Sequence, residues 1–282
     1  MIELNGQELR TLQLIELEML LELDRICRKC GIRYNIIAGT MLGAVRHGGF
    51  IPWDDDADVA MLRSEYDRFR KACRTELDTK RFYFQDHCVT PGYRWGYGKL
   101  RRRDTLFLRE HQEHMPYEQG VFIDIFPLDA VPDTRLGRTL VNAECFFVRK
   151  LLWSRVGKIA DKNPAKRALY MLMDRIPENR ALRCLDQLIS AASRRDTAWV
   201  RILMFPTPNR EYGYRKRWYD SAEEALFESF SFPGVVDADK YLRFKFGDYL
   251  TPPPPARRKI HPVSALRLTE PVLPERLTET NP

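Results

Sequence analysis

Four aspartates in five positions, Asp54, Asp55, Asp56 and Asp58, run directly into the apolar segment VAML. They lie within GTMLGAVRHGGFIPWDDDADVAM, residues 39–61. Like charges this close repel one another, and a carboxylate beside a buried strand is costly unless a cation or a donor meets it. Alternate side chains of an extended strand share a face. Asp54, Asp56 and Asp58 are therefore expected to point one way, with Asp55 and Ala57 opposite. Carboxylates two residues apart on one face suit a hard cation, and Mg²⁺ takes oxygen ligands while keeping waters that phosphate oxygens can replace. A solvated acidic turn is the commoner fate of such a run. Against it stands a second isolated acid, Asp124, inside the apolar pattern GVFIDIFPLD.

The segment ahead of the aspartates supplies a site for an anion. Gly39 and Thr40 follow the β-rich IRYNIIA (32–38) and open a short helical stretch, TMLGAVRH. Free backbone N–H groups and the helix dipole at such a junction favour a phosphate. Upstream, Leu9, Leu12, Ile15, Met19, Leu23 and Ile26 recur at helical spacing, with Gly31 as C-cap, which predicts a helix from about residue 7 to 30. Downstream, SEYDRFRKACRTEL reads as a helix, and 82–88, 94–101 and 121–126 as strands. From about 136 to 196 the pattern is helical. FKFGDYLTPPPPARRKIHP then places four prolines where neither a helix nor a central strand can run. Polyproline II geometry would make it a rod, read here as a strap that carries Arg257, Arg258, Lys259 and His261 over a cleft. Asp248 reads as a turn residue.

With 282 residues and a formal charge of +7, the chain leans towards an anionic partner. Six scattered cysteines form no disulfide framework, and CRKC (27–30) has no second metal-ligand pair, so its thiols read as packed helix residues. No apolar run reaches membrane-spanning length, and no secretory-signal layout opens the chain. A cytoplasmic setting is expected, with CFFVRKLLWSRVGK (145–158) as a candidate for peripheral contact at the inner membrane face. Core packing is the commoner fate of such a helix.

Taken together, the Gly-Thr turn, Asp56-x-Asp58 and the third acid Asp124 resemble the nucleotidyltransferase fold, and the long motif at 39–61 resembles the signature of the LicD family. GKLRRRDT (98–105), GVFIDIFPLD (120–129), FESFSFPGVVDADKYLRFKFGDYLTPPP (227–254) and His261 extend the likeness over roughly residues 7–261. Residues 135–215 match least. The resemblance implies an α+β fold, a nucleotidyltransferase-like mixed sheet flanked by helices, with a helical C-terminal extension. The expected divisions are an N-terminal helix (1–31), the core (32–134), the helical extension (135–230) and the strap (231–282), within one domain.

The same resemblance implies transfer of a phospho-alcohol, most readily phosphocholine, from a CDP-activated donor to a hydroxyl of a cell-surface glycan or its lipid-linked precursor. Asp56, Asp58 and Asp124 are the implied catalytic and metal-binding residues, holding one or two Mg²⁺, with Mn²⁺ as a substitute. Gly39 and Thr40 would face the donor phosphates, and Asp54 would orient the pair or bind acceptor. Arg46, Lys99 and Arg101 are candidates for neutralising phosphate, although any one basic residue is more often an ion-pair partner. His261 is a candidate base, and Trp153, Trp199, Trp218 and Tyr219 are candidates for a choline cage. Two other readings use the same residues. One is a nucleotidyltransferase that attaches NMP and releases pyrophosphate. The other is a non-catalytic basic protein holding a polyanion, which three acids in the central cleft oppose, and no nucleic-acid partner is expected.

Overall fold

The computed structural model describes residues 2–207, 209–258 and 260–274. The first element is a 25-residue helix, α1 (Gly6–Cys30). Asn5 and Glu8 form a reciprocal capping box at its start, and Gly31 closes it at φ 60°, in the left-handed region. Then follow β1 (Asn35–Ile36), α2 (Ala38–His47), β2 (Asp58–Leu62) and α3 (Arg63–Glu76). Next come β3 (Phe82–Gln85), β4 (Gly98–Arg102), β5 (Leu106–Arg109) and β6 (Phe122–Val131). Three helices succeed one another, α4 (Arg135–Ala160), α5 (Pro164–Met173) and α6 (Glu178–Ser193). The remainder is β7 (Trp199–Arg201), β8 (Tyr214–Arg215), β9 (Glu223–Phe227), β10 (Phe230–Gly234), α7 (Ala238–Phe246) and β11 (Val263–Arg267).

Nine strands form one mixed sheet in the order β3-β4-β6-β2-β1-β10-β9, with β7 on the far end of β6 and β8 on β7. β6 is central because its sequence is apolar on both faces, and nine of its ten residues are buried. Pro127 cannot donate to a ladder. It falls between the β4 pairing, which reaches Ile125, and the β7 pairing, which begins at Asp129. The main core gathers α1, α3 and the sheet. A second core, including Val131, Val141, Cys145, Leu152, Leu185 and Trp199, fixes α4 and α6 to the end of β6.

Three expectations change. Residues 199–230, assigned to the helical extension, hold three short strands and the start of a fourth, because β7 and β8 extend the sheet from β6 and β9 and β10 complete it beside β1. β5 was not foreseen; among the described residues it pairs only with β11. The strap is more than a docked rod: β11 pairs antiparallel with β5, and Val263 is fully buried in the main core. All six cysteines are free, with Cys27 and Cys30 on α1.

Candidate functional site

β2 and β6 are parallel neighbours, and their register sets Asp58 beside Asp124. Directly paired residues of adjacent strands project to the same face, so the two carboxylates stand side by side. Lys99 of β4 is paired with Asp124 on the other side of β6 and forms an ion pair with it. The alternation expected for Asp54 to Asp58 does not hold, since the strand begins only at Asp58. Asp55 turns instead to the strap. Its Oδ2 accepts from the His261 backbone N–H at 2.7 Å, and its Oδ1 lies 3.2 Å from His261 Nδ1. His261 Nε2 is 3.7 Å from Asp56 Oδ2, so one imidazole faces two acids.

Burial and mutual repulsion push several of these acids towards the neutral form. Asp54 is raised to about 8, by burial first and then by Asp56 and Asp55. Asp56 is raised by burial and by Asp124, against the pull of His261 and Lys99. Asp58 is raised well above the ordinary carboxylate range by burial, Asp56 and Asp124. Behind them, on α1, lies an acid that sequence reasoning missed. Glu16 is 1% exposed, its Oε2 has no hydrogen-bond partner among the described residues, and the same aspartates raise it further after burial. Its place at i+4 from Leu12 on the apolar stripe of α1 was the available signal.

This donor set fits a hard divalent cation: carboxylate oxygens only, with excess negative charge and few cations in reach. The fit is loose. Asp56, Asp58 and Asp124 do not bring one oxygen each within 4.8 Å of the others; among the described residues only Asp86, His87 and Cys88 form so tight a trio. Asp86 is already committed, accepting from Tyr66, Arg70 and the backbone of Cys88 and Val89.

The other anticipated residues divide by what they touch. Gly39 lies in the first turn of α2, where a Cβ would come 2.6 Å from Asp54 Oδ2, so glycine lets that carboxylate sit against the helix start. Thr40 is buried, and its hydroxyl accepts from the Asp58 N–H at 2.7 Å. It thereby positions Asp58. Ala38 opens α2 in the left-handed region, and its N–H donates to the Tyr241 hydroxyl. Arg46 reaches the strap, donating to Tyr249 O at 2.7 Å, and its guanidinium also feels Asp54. Arg101 donates to Gln85 and to Gly120 O, while Arg102 turns to the opposite face and meets Glu18. Arg258 stacks on Trp53 at 3.9 Å. Asp248 accepts from Thr251, as a turn residue does. Lys259 lies outside the described residues.

A cavity of about 280 Å³ opens beside Lys99. Trp153 lines it, together with Trp95, Tyr97 and Phe122. The rest of the expected cage is elsewhere. Trp199 is sandwiched between Arg138 and Arg215, and Trp218 and Tyr219 pack in the core against Tyr241. Burial of these rings, set by the α7 contacts, overrode the pattern.

A helix that starts beside β1 of a mixed sheet, followed by acids on the paired strands β2 and β6, is an arrangement consistent with a nucleotidyltransferase-like α+β fold. Residues 31–150 match the model of the family described as "LicD/FKTN/FKRP, nucleotidyltransferase domain". Over 260 residues the chain is 26% identical to the lipopolysaccharide cholinephosphotransferase LicD of Haemophilus influenzae, covering 90% of this chain and 95% of that protein. Shorter matches join it to uncharacterized proteins of Rickettsia. One from Rickettsia typhi is 38% identical over 54 residues, 19% of this chain and 18% of that one. One from Rickettsia prowazekii is 40% identical over 48 residues, 17% of this chain and 18% of that one.

Proposed function

We propose that this protein transfers phosphocholine from CDP-choline to a hydroxyl of a lipopolysaccharide-type glycan or its lipid-linked precursor. The observation that carries the reading is the pairing of Asp58 with Asp124 on β2 and β6, in a chain similar almost end to end to a cholinephosphotransferase. Asp56 and Asp58, with Asp124 as third carboxylate, would hold Mg²⁺ or Mn²⁺. A cation there would withdraw charge from the donor diphosphate. The chain's own residues do the rest. The start of α2 presents backbone N–H groups to phosphate, and Thr40 and Gln13 fix the backbone that carries the aspartates. The acceptor oxygen forms its bond to the choline-bearing phosphorus as the bond to CMP breaks. The hydroxyl proton passes to Asp124, which Lys99 holds in place.

Support for contact with a membrane comes from the helical segment. Residues 135–195 hold fourteen Lys and Arg against five Asp and Glu. Leu136, Leu140 and Phe147 of α4 and Leu169, Met171 and Leu172 of α5 are all more than half exposed. Apolar side chains among cations suit the inner face of an anionic bilayer. No helix among the described residues is long and apolar enough to cross a membrane.

The test is product analysis. With Mg²⁺, the protein is incubated with CDP-choline, CDP-ribitol, CDP-glycerol and nucleoside triphosphates. CMP from CDP-choline is the expected product. Pyrophosphate from a triphosphate would establish the nucleotidyltransferase reading instead, and CMP from CDP-ribitol or CDP-glycerol alone would replace the alcohol.

A further inference from the structure

The cavity beside Lys99 has a composition that choline would avoid. Five of its lining residues are Lys or Arg, and none is Asp or Glu. Three of the five are engaged: Lys99 with Asp124, Arg101 with Gln85 and Gly120 O, and Lys150 with the Tyr170 hydroxyl at 3.0 Å. Among the described residues, neither Arg109 nor Arg149 has a side-chain hydrogen-bond or ion-pair partner, and Arg149 NH1 is buried without one. An unpaired guanidinium in a cleft is best met by a carboxylate or phosphate, which can accept two of its N–H groups at once. Trp95 and Trp153 complete the wall, their ring centroids 5.4 Å apart. Their apolar faces are suited to a sugar ring.

The order of the strands says which substrate enters here. α2 begins next to β1, so its N-terminus and the Asp54 carboxylate lie on the β1 side of β2. The cavity lies on the opposite side, across β6, where Lys99 of β4 and Phe122 of β6 form part of its wall. Phe122 precedes Asp124 by two residues, so both project from one face of β6. A group in the cavity therefore approaches Asp124, the acid proposed to take the acceptor's proton, from the side away from the diphosphate.

We infer that this cavity is the acceptor subsite and that it takes a saccharide bearing an anionic group, a phosphate or a carboxylate. The sugar ring lies against Trp95 and Trp153, the anion meets Arg109 and Arg149, and a free hydroxyl reaches Asp124. This rests on the phosphocholine-transfer reading for the role of acceptor, while the affinity for an anionic sugar stands without it.

The experiment follows tryptophan fluorescence of the full chain during titration with glucose 6-phosphate, glucuronate, glucose and CMP. Both anionic sugars are expected to quench, glucose is not, and CMP present at saturation leaves their affinity unchanged. The two anionic sugars distinguish phosphate from carboxylate. Arg149→Gln should weaken the anionic sugar about tenfold, and Arg149→Lys, which keeps the charge, should recover part of the loss. Displacement of the sugar by CMP would overturn the inference by making the cavity the nucleotide site. Quenching by none of the sugars, or equal quenching by glucose, would overturn it too. If anionic sugars bind as expected but CDP-choline yields no CMP, the donor reading fails and the cavity's ligand class survives. If CDP-choline is consumed and no sugar binds, only the cavity inference falls.

Discussion

Two adjoining regions of the molecule carry opposite and unbalanced charge. On β2 and the loop before it, Asp54, Asp56 and Asp58 crowd together, with Glu16 behind them, and burial and repulsion push all four towards the neutral form. On the far side of β6 a cavity gathers five cations and no acid. The regions touch at one ion pair, Lys99 with Asp124. Even there the charges do not settle: burial pulls Lys99 down to about 7, against the attraction of Asp124. A fold selected for stability alone would interleave these charges. Keeping them apart costs the free protein stability and leaves each region suited to a partner of opposite sign.

The largest expected effect comes from removing the acids themselves. Asp56→Asn and Asp58→Asn should each abolish CMP release from CDP-choline at any Mg²⁺ concentration. Each also removes a repelling charge, so Tm without metal should rise by a few degrees, at roughly 2–4 °C per kcal/mol for a chain somewhat smaller than this one. Lost activity with lowered Tm would mean that the aspartates hold the fold together, and the contrast between the regions would lose its meaning.

Next in size is the strap. β11 pairs with β5 and Val263 is fully buried, so the strap is tied into the fold. Ending the chain after Gly247 should lower Tm by roughly 10 °C, since one buried Val contributes about 1.5–3 kcal/mol and the strand ladder is lost with it. His261→Ala should keep Tm and raise the KM for CDP-choline. An unchanged KM would leave the strap a clamp with no part in the acidic region.

Much of the acidic region was legible in the sequence, because its signals are local. Asp58 and Asp124 are isolated charges in apolar strands, and Gly39 stands at a strand-to-helix junction. α1 announced its C-terminal end through Gly31. The basic cavity was not legible, because β4, β5, α4 and the loop at 204–206 all contribute to it, and no local pattern joins them. Trp153 was singled out, but so were Trp199 and Trp218, which stack on arginines or core rings. Composition names an aromatic; only packing says whether its face is free. The strands at 199–234 were hidden for the same reason. Two of them, β7 and β10, are placed by partners far away in the chain, β6 and β1.

A smaller effect sharpens the acidic side. Glu16 is buried and its proton is held well above the ordinary carboxylate range. Above about pH 4.5 the unfolded chain releases that proton while the folded protein still binds it, so stability falls as pH rises. Glu16→Gln removes this contribution. The Tm advantage of the variant over the parent should be small at pH 4.5 and grow to several degrees by pH 8. An advantage constant with pH would mean that Glu16 ionises in the folded protein just as it does in the unfolded chain, and one that shrinks would mean a charged, stabilising Glu16.

The smallest effect tests whether the basic side continues out to a surface. Leu136, Leu140 and Phe147 share one stripe of α4, at spacings of four and seven, and their exposures are 71%, 60% and 59%. Phe146 stands beside Arg149 and Lys150, whose charged groups lie 5.6 and 5.5 Å from its ring, so this surface reaches the residues that line the cavity. A lipid-linked acceptor would meet both at once, its lipid end at the apolar stripe and its sugar in the cavity. Each apolar side chain entering the interface would contribute about 1 kcal/mol, less than for full burial. Phe147→Ser should therefore reduce sedimentation with phosphatidylglycerol vesicles roughly fivefold, and Leu140→Ser with it should multiply the loss. Added salt should weaken binding of parent and variant alike, because the cations beside the stripe are untouched. Binding that vanishes in salt yet ignores both substitutions would leave the surface purely electrostatic and remove the apolar stripe from the route to the cavity.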